Sequence, residues 1–194
     1  MSKLSRDDLM SLETYAAERV DFRARVMSHK QNRQVNIGDH CTLYFEDRLT
    51  IQYQIQEMLR IERIFEADGI KEELDAYNPL IPDGCNWKAT FMIEYTDVAE
   101  RQEALTKMVG IEDKVWMQVT DFDRVFGVAD EDLDRSDADK TSAVHFMRFE
   151  LTPEMASAVK AGASISTGID HTAYMASIEP LLSPVRDSLA ADLA

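Results

Sequence analysis

Three side chains in this sequence are of the types that hold metals or move protons: His40, Glu62 and His171. An imidazole can ligate a metal through a ring nitrogen or pass a proton near neutral pH, and a carboxylate can do either beside it. If His40, Glu62 and His171 converge, they make a small metal centre or an acid/base pair. Taken singly, each histidine reads equally well as a structural or surface residue. His29 and His145 complete the set, and no H-x-x-x-H or H-E-x-x-H spacing is present, so no helical metal pair can be written down.

Glu62 owes its interest to its place. Read at 100° per residue, the segment after Asp47 puts Ile51, Ile55, Met58, Leu59 and Phe65 on one helical face, with Glu62 in its middle and Arg63 and Gln52 at its margin. A carboxylate on a core-facing stripe must be paired, protonated or reactive, because burying it alone is costly. An ion pair with Arg63, Arg25 or Arg23 would make it a packing device. Without one, desolvation would raise its pKa and fit it for general acid or base work. Arg23, Arg25, Arg60 and Arg63 are the candidate anion ligands. Gln52, Gln56 and Arg60 form a polar stripe on the other side of the same helix, as expected if that side is also covered or meets a partner.

Other chemistries find little footing. There is no G-x-S-x-G, and Cys41 beside His40 on one strand points to the opposite face. The seven glycines are scattered singly, so no phosphate-cradling loop is present. Asp130, Asp132 and Asp134 alternate as calcium-loop ligands do, but Arg135 stands where the turn glycine belongs and Thr141 where the closing glutamate belongs. No metal or other cofactor is assigned; a metal ion at the histidine–glutamate set is the one possibility kept open.

Composition narrows the partners. The chain has 194 residues, 45% of them hydrophobic, enough to bury one core, and one domain over 1–194 is expected. Net charge is −15, all of it carried by residues 64–194, because residues 1–63 hold 10 basic and 10 acidic side chains. Such a surface repels phosphate backbones and anionic lipid, so nucleic acid is excluded as a partner. Residues 22–38 contain no acid, and Arg23, Arg25, Lys30 and Arg33 cluster there, ready to dock on the protein's own acidic part, an anion or an acidic partner. The first residues lack the apolar run of a signal peptide, no stretch is long enough to span a membrane, and Cys41 and Cys85 form no C-x-x-C. A cytoplasmic protein with two reduced thiols is expected, with homo-oligomerisation left open.

Elements that would position these residues follow from pattern and punctuation. Ser5 caps a short helix to about residue 17, and Asp21 caps a second. Strands are expected at 35–37 and 41–46, then one long central helix ending near Gly69, with a further helical turn at 71–77. Strands at 89–95, 114–119, 122–128, 141–151 and 163–169 alternate with helices at 97–109 and 153–161. That order fits an α+β fold with a mainly antiparallel sheet. The polar run at 129–140 is expected to be a flexible acidic loop.

Several blocks resemble a bacterial family. F-R-A-R-V (22–26), F-E-D-R (45–48), Q-I-Q-E-M-L-R-I-E-R-I (54–64), E-E-L-D-A-Y-N-P-L-I-P (72–82), S-A-V-H-F-M-R-F (142–149) and G-I-D-H-T-A-Y (168–174) look like domain of unknown function 3501. Genes of that family often lie beside those of a rubrerythrin-like di-iron protein and an iron–sulfur oxidoreductase. The resemblance therefore implies a soluble accessory of a redox or peroxide-defence system, with one of those proteins as partner. It supplies no catalytic residues.

Overall fold

The computed structural model describes residues 2–131, 135–136 and 139–194. In chain order, α1 (Leu12–Lys30) leads into the hairpin β1 (Gln34–Ile37) and β2 (Cys41–Glu46), followed by α2 (Arg48–Glu62) and α3 (Ala67–Tyr77). Next come β3 (Asn86–Ile93), α4 (Val98–Lys107), β4 (Val115–Val119), β5 (Val125–Phe126), β6 (Val128–Ala129) and β7 (Val144–Glu150). The chain ends with α5 (Pro153–Lys160), β8 (Ile165–His171), β9 (Tyr174–Ile178) and α6 (Ser183–Ala190).

The strands form two antiparallel sheets, β1-β2-β3-β7-β6 and β5-β4-β8-β9. The α+β class is as expected, but the sheet is divided. The expected strand at 122–128 is broken at Gly127 into β5 and β6, one in each sheet. A Cβ at Gly127 would lie 2.5 Å from the end of Met147, so glycine lets the bend press against β7. Alternation puts Phe45, Trp87, Phe91 and Phe149 of the first sheet and Val115, Met117, Ile165 and Ile169 of the second into one apolar core.

The helices correct the sequence reading. The first two expected helices are divided differently: Ser5 caps only a 3-10 turn at Arg6–Asp8, Ser11 caps the 19-residue α1, and nothing between Ala17 and Asp21 breaks it. The long central helix is two. Arg63 adopts φ 57 and ends α2 in the left-handed cap usual at helix C-termini, and α3 restarts at Ala67 with Gly69 inside it. Ile51, Ile55 and Leu59 are buried as the periodicity requires, but Phe65 lies beyond the helix and is exposed. The polar stripe on α2 pins the N-terminal segment: Gln52 donates to Asp8 O at 2.6 Å, and the buried Gln56 accepts from Met10 N–H at 2.6 Å. β9 and α6 were not anticipated. β9 is half-exposed along its length, and α6 opens without a side-chain cap.

The expected flexible loop at 129–140 falls partly on residues 132–134 and 137–138, which lie outside the described residues, as do Asp132 and Asp134 of the calcium-like pattern. Its described flank is tied down. Asp130, at φ 53, accepts from Phe146 N–H at 3.1 Å, from Arg135 at 3.0 Å and from His145 Nδ1 at 2.6 Å.

Arg33 joins four parts of the chain. Only 2% exposed, it donates to Phe45 O and Glu46 O on β2, to Ser188 O on α6, and to Asp192 at 2.6 Å, with Asp47 3.4 Å away. Asp47 in turn caps α2 by accepting from Leu49 N–H and Thr50 N–H, and its other oxygen meets His29. Burial alone would raise the Asp47 carboxyl, but Arg33, the Thr50 amide and His29 hold it below its ordinary value. Burial wins at Asp192, pushing it up to about 6 against the pull of Arg33.

A second ionic joint fixes α1 on α2. Arg19 grips Glu57 through two bonds of 2.7 and 2.9 Å, and Tyr15 donates to the same carboxylate at 2.6 Å. The Arg19 guanidinium, with Tyr15 and Arg60, outweighs partial burial and holds the Glu57 carboxyl at about 2.

Two outcomes follow from these joints. Arg33→Ala leaves the buried Asp192 without its cation and takes one from Asp47, which keeps His29 and the α2 amides, so urea unfolding should show a loss of about 3–5 kcal/mol. Glu57 is depressed in the folded chain from an ordinary 4.5 to about 2, so its stabilisation is complete above pH 4.5 and fades as pH falls through 2. Melting curves of Glu57→Gln should therefore lie below those of the parent at pH 7 and converge with them toward pH 2.

Candidate functional site

The outer face of the first sheet carries the polar half of each strand's alternation. On β3, Trp87, Ala89, Phe91 and Ile93 point into the core, which leaves Lys88, Thr90 and Met92 outside. Register aligns three rows across the sheet: Glu46, Lys88 and Arg148; Tyr44, Thr90 and Phe146; Thr42, Met92 and Val144. α2 and α3 lie over this face. Because Ile51, Ile55 and Leu59 pack with Leu74 and Ile81 into a separate cluster, Met58 and Tyr77 are left to roof a groove above the strands.

Two cavities make up the groove. One, of about 540 Å³, is bounded by Met58, Glu73, Tyr77, Lys88, Phe146 and Arg148. The other, of about 360 Å³, lies beside Tyr44, Glu46, Ile51, Thr90, Met92 and Val144. Tyr77, Leu80 and Phe146 border both, so the two join over the Phe146 ring. Clefts of this size with apolar walls and a few converging polar groups are where small molecules bind.

The polar groups differ in how well they are satisfied. Glu46 accepts from Thr90 at 2.9 Å and Thr50 at 2.6 Å. Arg148 is bound to Glu131 and Glu150. Lys88 differs: among the described residues it makes no side-chain hydrogen bond and no ion pair. Burial lowers its pKa, the charge of Arg148 adds to the effect, and Glu131, Asp83 and Glu150 oppose it. On the helical wall, Glu73 has a buried Oε2 with no hydrogen-bond partner among the described residues. Burial and the charges of Glu62 and Glu72 raise its carboxyl above the ordinary range. A lysine pushed toward its free amine and a carboxyl pushed toward its acid form thus line one cavity.

The residues expected from sequence lie elsewhere. His40 stacks on Tyr95 at 3.8 Å, and its Nδ1 meets Glu94 O at 3.1 Å. His171 is buried; its Nδ1 accepts from Ala173 N–H at 3.2 Å, which leaves Nε2–H to donate to Val109 O at 3.2 Å. Glu62 is not on a buried stripe. It is the last residue of α2 and is exposed, because the left-handed cap at Arg63 ends the helix before the apolar face can close over it. His40 precedes β2 and Glu62 ends α2, and among the described residues no hydrogen bond or ion pair links His40, Glu62 and His171. Among the described residues no group of three or more His, Cys, Asp and Glu side chains is placed to hold a metal ion.

The arginines fare similarly. Arg23, Arg25 and Arg63 are exposed, with Arg25 over the Phe22 ring at 4.9 Å, and Arg60 pairs with Glu57 at 3.1 Å. Of the basic cluster, Arg33 does dock on acids of the same chain, and Lys30 borders the smaller cavity. Cys41 is buried and its thiol is pushed up to about 12 by that burial, which disfavours the nucleophilic thiolate, while Cys85 is exposed. No helix among the described residues is long and apolar enough to cross a membrane.

Sequence reasoning missed Lys88. Its one signal was a lysine at an outward strand position sharing a face with Met92, a pattern that a solvated lysine gives just as well.

Beneath Phe146, on the core side of β7, His145 is fully buried between Asp130 and a second acid. Its Nε2 lies 2.9 Å from Thr141 Oγ1, and that hydroxyl donates to Glu112 at 2.9 Å. Removing the ring opens a cavity in this buried network and takes one hydrogen bond from Asp130, so His145→Ala should lower the urea-unfolding free energy by about 2–5 kcal/mol. A loss under 1 kcal/mol, roughly the worth of an exposed pair, would show that the network is solvated.

Residues 3–193 match the model of a family described as "Protein of unknown function (DUF3501)". A crystal structure of a novel protein of unknown function from Burkholderia pseudomallei K96243 is 52% identical, with a TM-score of 0.94 and all of both chains covered. No curated protein matches the chain. By fold, and by a match over nearly its whole length, the chain belongs to the DUF3501 family.

Proposed function

We propose that this protein is a small-molecule binding module. Its ligand lies in the groove between the first sheet and α2–α3, with an apolar body along Phe146, Tyr77 and Leu80 and one polar head at Lys88. The observation that carries this reading is Lys88 itself, a half-buried side chain with no ion pair among the described residues, in a cavity whose other cation, Arg148, is already paired. A half-desolvated cation without a partner gains most from a ligand oxygen. The net charge of −15 favours a head with little negative charge of its own, a carbonyl or a single carboxylate, over a phosphate.

An accessory role toward a redox partner, a rubrerythrin-like protein or an iron–sulfur oxidoreductase, is the second reading. It is favoured by Ile61 and Phe65, which stand 61% and 69% exposed at the turn between α2 and α3. Exposed large apolar side chains in proximity are a common feature of protein contact surfaces. The two readings are compatible, since α2 and α3 form the roof of the groove and carry that turn between them.

Octanoate is a suitable probe, having an apolar chain and one carboxylate. Calorimetric titration should show binding that weakens about tenfold in Lys88→Met, the loss expected for one charge-assisted hydrogen bond. Phe146→Ala should weaken it through lost apolar contact. Equal affinity in the parent, Lys88→Met and Phe146→Ala chains would overturn the groove as the site.

A further inference from the structure

We infer that Lys88 is a covalent carbonyl-capturing residue, forming a Schiff base with an apolar aldehyde or ketone held in the groove. The inference rests on the binding reading above and deepens it by naming the ligand's reactive group.

The geometry supplies each part the chemistry needs. A lysine adds to a carbonyl only as the free amine, so it must be kept from ion pairing and partly out of water. Lys88 meets both conditions: it projects from the rigid centre of a five-stranded sheet, between β2 and β7, and no carboxylate among the described residues holds its ammonium. Two other lysines show the contrast. Lys71 and Lys107 lie on exposed helix faces, each bound to a carboxylate at 2.6 Å. Forming the bond also requires an acid to remove the carbonyl oxygen as water. Glu73 borders the same cavity from α3 with an oxygen that no donor among the described residues occupies. Around them the walls are Met58, Tyr77 and Phe146, which suit an apolar chain.

In the step itself, the Lys88 Nζ lone pair attacks the carbonyl carbon, and the C=O π pair moves to oxygen. A proton passes from nitrogen to that oxygen to give the neutral carbinolamine. The Glu73 carboxyl then delivers a second proton, the C–O bond breaks, and water leaves. The products are a protonated C=N at Lys88 and the Glu73 carboxylate. No oxidant or reductant is consumed.

The test uses the full chain with octanal, reduced by borohydride after brief exposure to aldehyde below one equivalent. Peptide mapping should find the octyl group on Lys88 in preference to Lys71 and Lys107. Excess octanoate should suppress that labelling, and Lys88→Arg should abolish it. Glu73→Gln should slow trapping about tenfold or more while octanoate affinity is kept, as expected for loss of a general acid. Labelling spread evenly over exposed lysines, with octanoate binding intact, would overturn the Schiff base and leave the groove standing. If octanoate does not bind and Lys88 is not preferred, both readings fall together.

Discussion

A guanidinium taken almost entirely out of water is the constraint around which this chain is arranged. Arg33 sits where α1 ends and β1 begins, and its N–H donors are spent on the carbonyls of Phe45 and Glu46, on Ser188 and on Asp192, with the Asp47 carboxylate 3.4 Å from Nε. Such a group cannot shed its charge, so the chain must bring acceptors to it from wherever they lie. They come from residues 47 and 192, separated by most of the sequence. The unequal carboxyls divide the work. Asp47 is held ionised and also caps α2, whereas Asp192, pushed up to about 6, is the first to take a proton as the solution becomes acid.

The groove inherits its shape from this clamp. Fixing Glu46 O and Asp47 fixes where β2 stops and α2 starts, and so the angle at which α2 crosses the outer face of the sheet. Arg19 and Glu57 hold α1 against α2 on its far side. α2 therefore cannot settle onto the strands, and its own apolar residues are already committed to a cluster with Leu74 and Ile81. A gap over the sheet is what remains. The second sheet is tied to the same hairpin by Tyr174, whose hydroxyl donates to Ile37 O at 2.8 Å and accepts from His40 N–H at 3.0 Å. Gly38, at φ 68, permits that approach, since a Cβ there would lie 2.5 Å from the hydroxyl oxygen.

Patterns carried by neighbouring residues were legible in the sequence. β2 occupies the expected span, Asp97 caps α4 as its position suggests, and Pro153 opens α5. What failed depended on where a pattern stops. The helical period through Ile51, Ile55 and Leu59 holds, but extending it past Arg63 placed Glu62 in a core it never enters. No residue type marks that ending: Arg63 adopts the left-handed conformation without being glycine or asparagine. The division into two sheets was hidden for a similar reason, because one small residue, Gly127, turns an apparently continuous strand. Lys88 was invisible for another. Whether an outward lysine meets water or a helical roof is decided by α2 and α3, and their placement depends on Arg33 and Asp192, contacts of long sequence separation.

The same logic explains why the reactive features lie where they do. Lys71 and Lys107 find carboxylates four residues away on their own helices, and such a pair on a helix face forms at little entropic cost. A strand gives no such neighbour on its own side except two residues away, and at Lys88 that neighbour is Thr90. Across the sheet, Glu46 is engaged by two hydroxyls and Arg148 takes Glu131 and Glu150 for itself. Among the described residues the lysine is left unpaired because its neighbours are satisfied by one another, and burial under Met58 and Tyr77 then works on its charge without opposition from an ion pair among them. Glu73 is raised by the mirror-image argument, for its nearest charges, Glu62 and Glu72, are of its own sign. The exposed Glu62 thus acts at a distance, helping to raise a neighbouring carboxyl at the wall of the groove above its ordinary range.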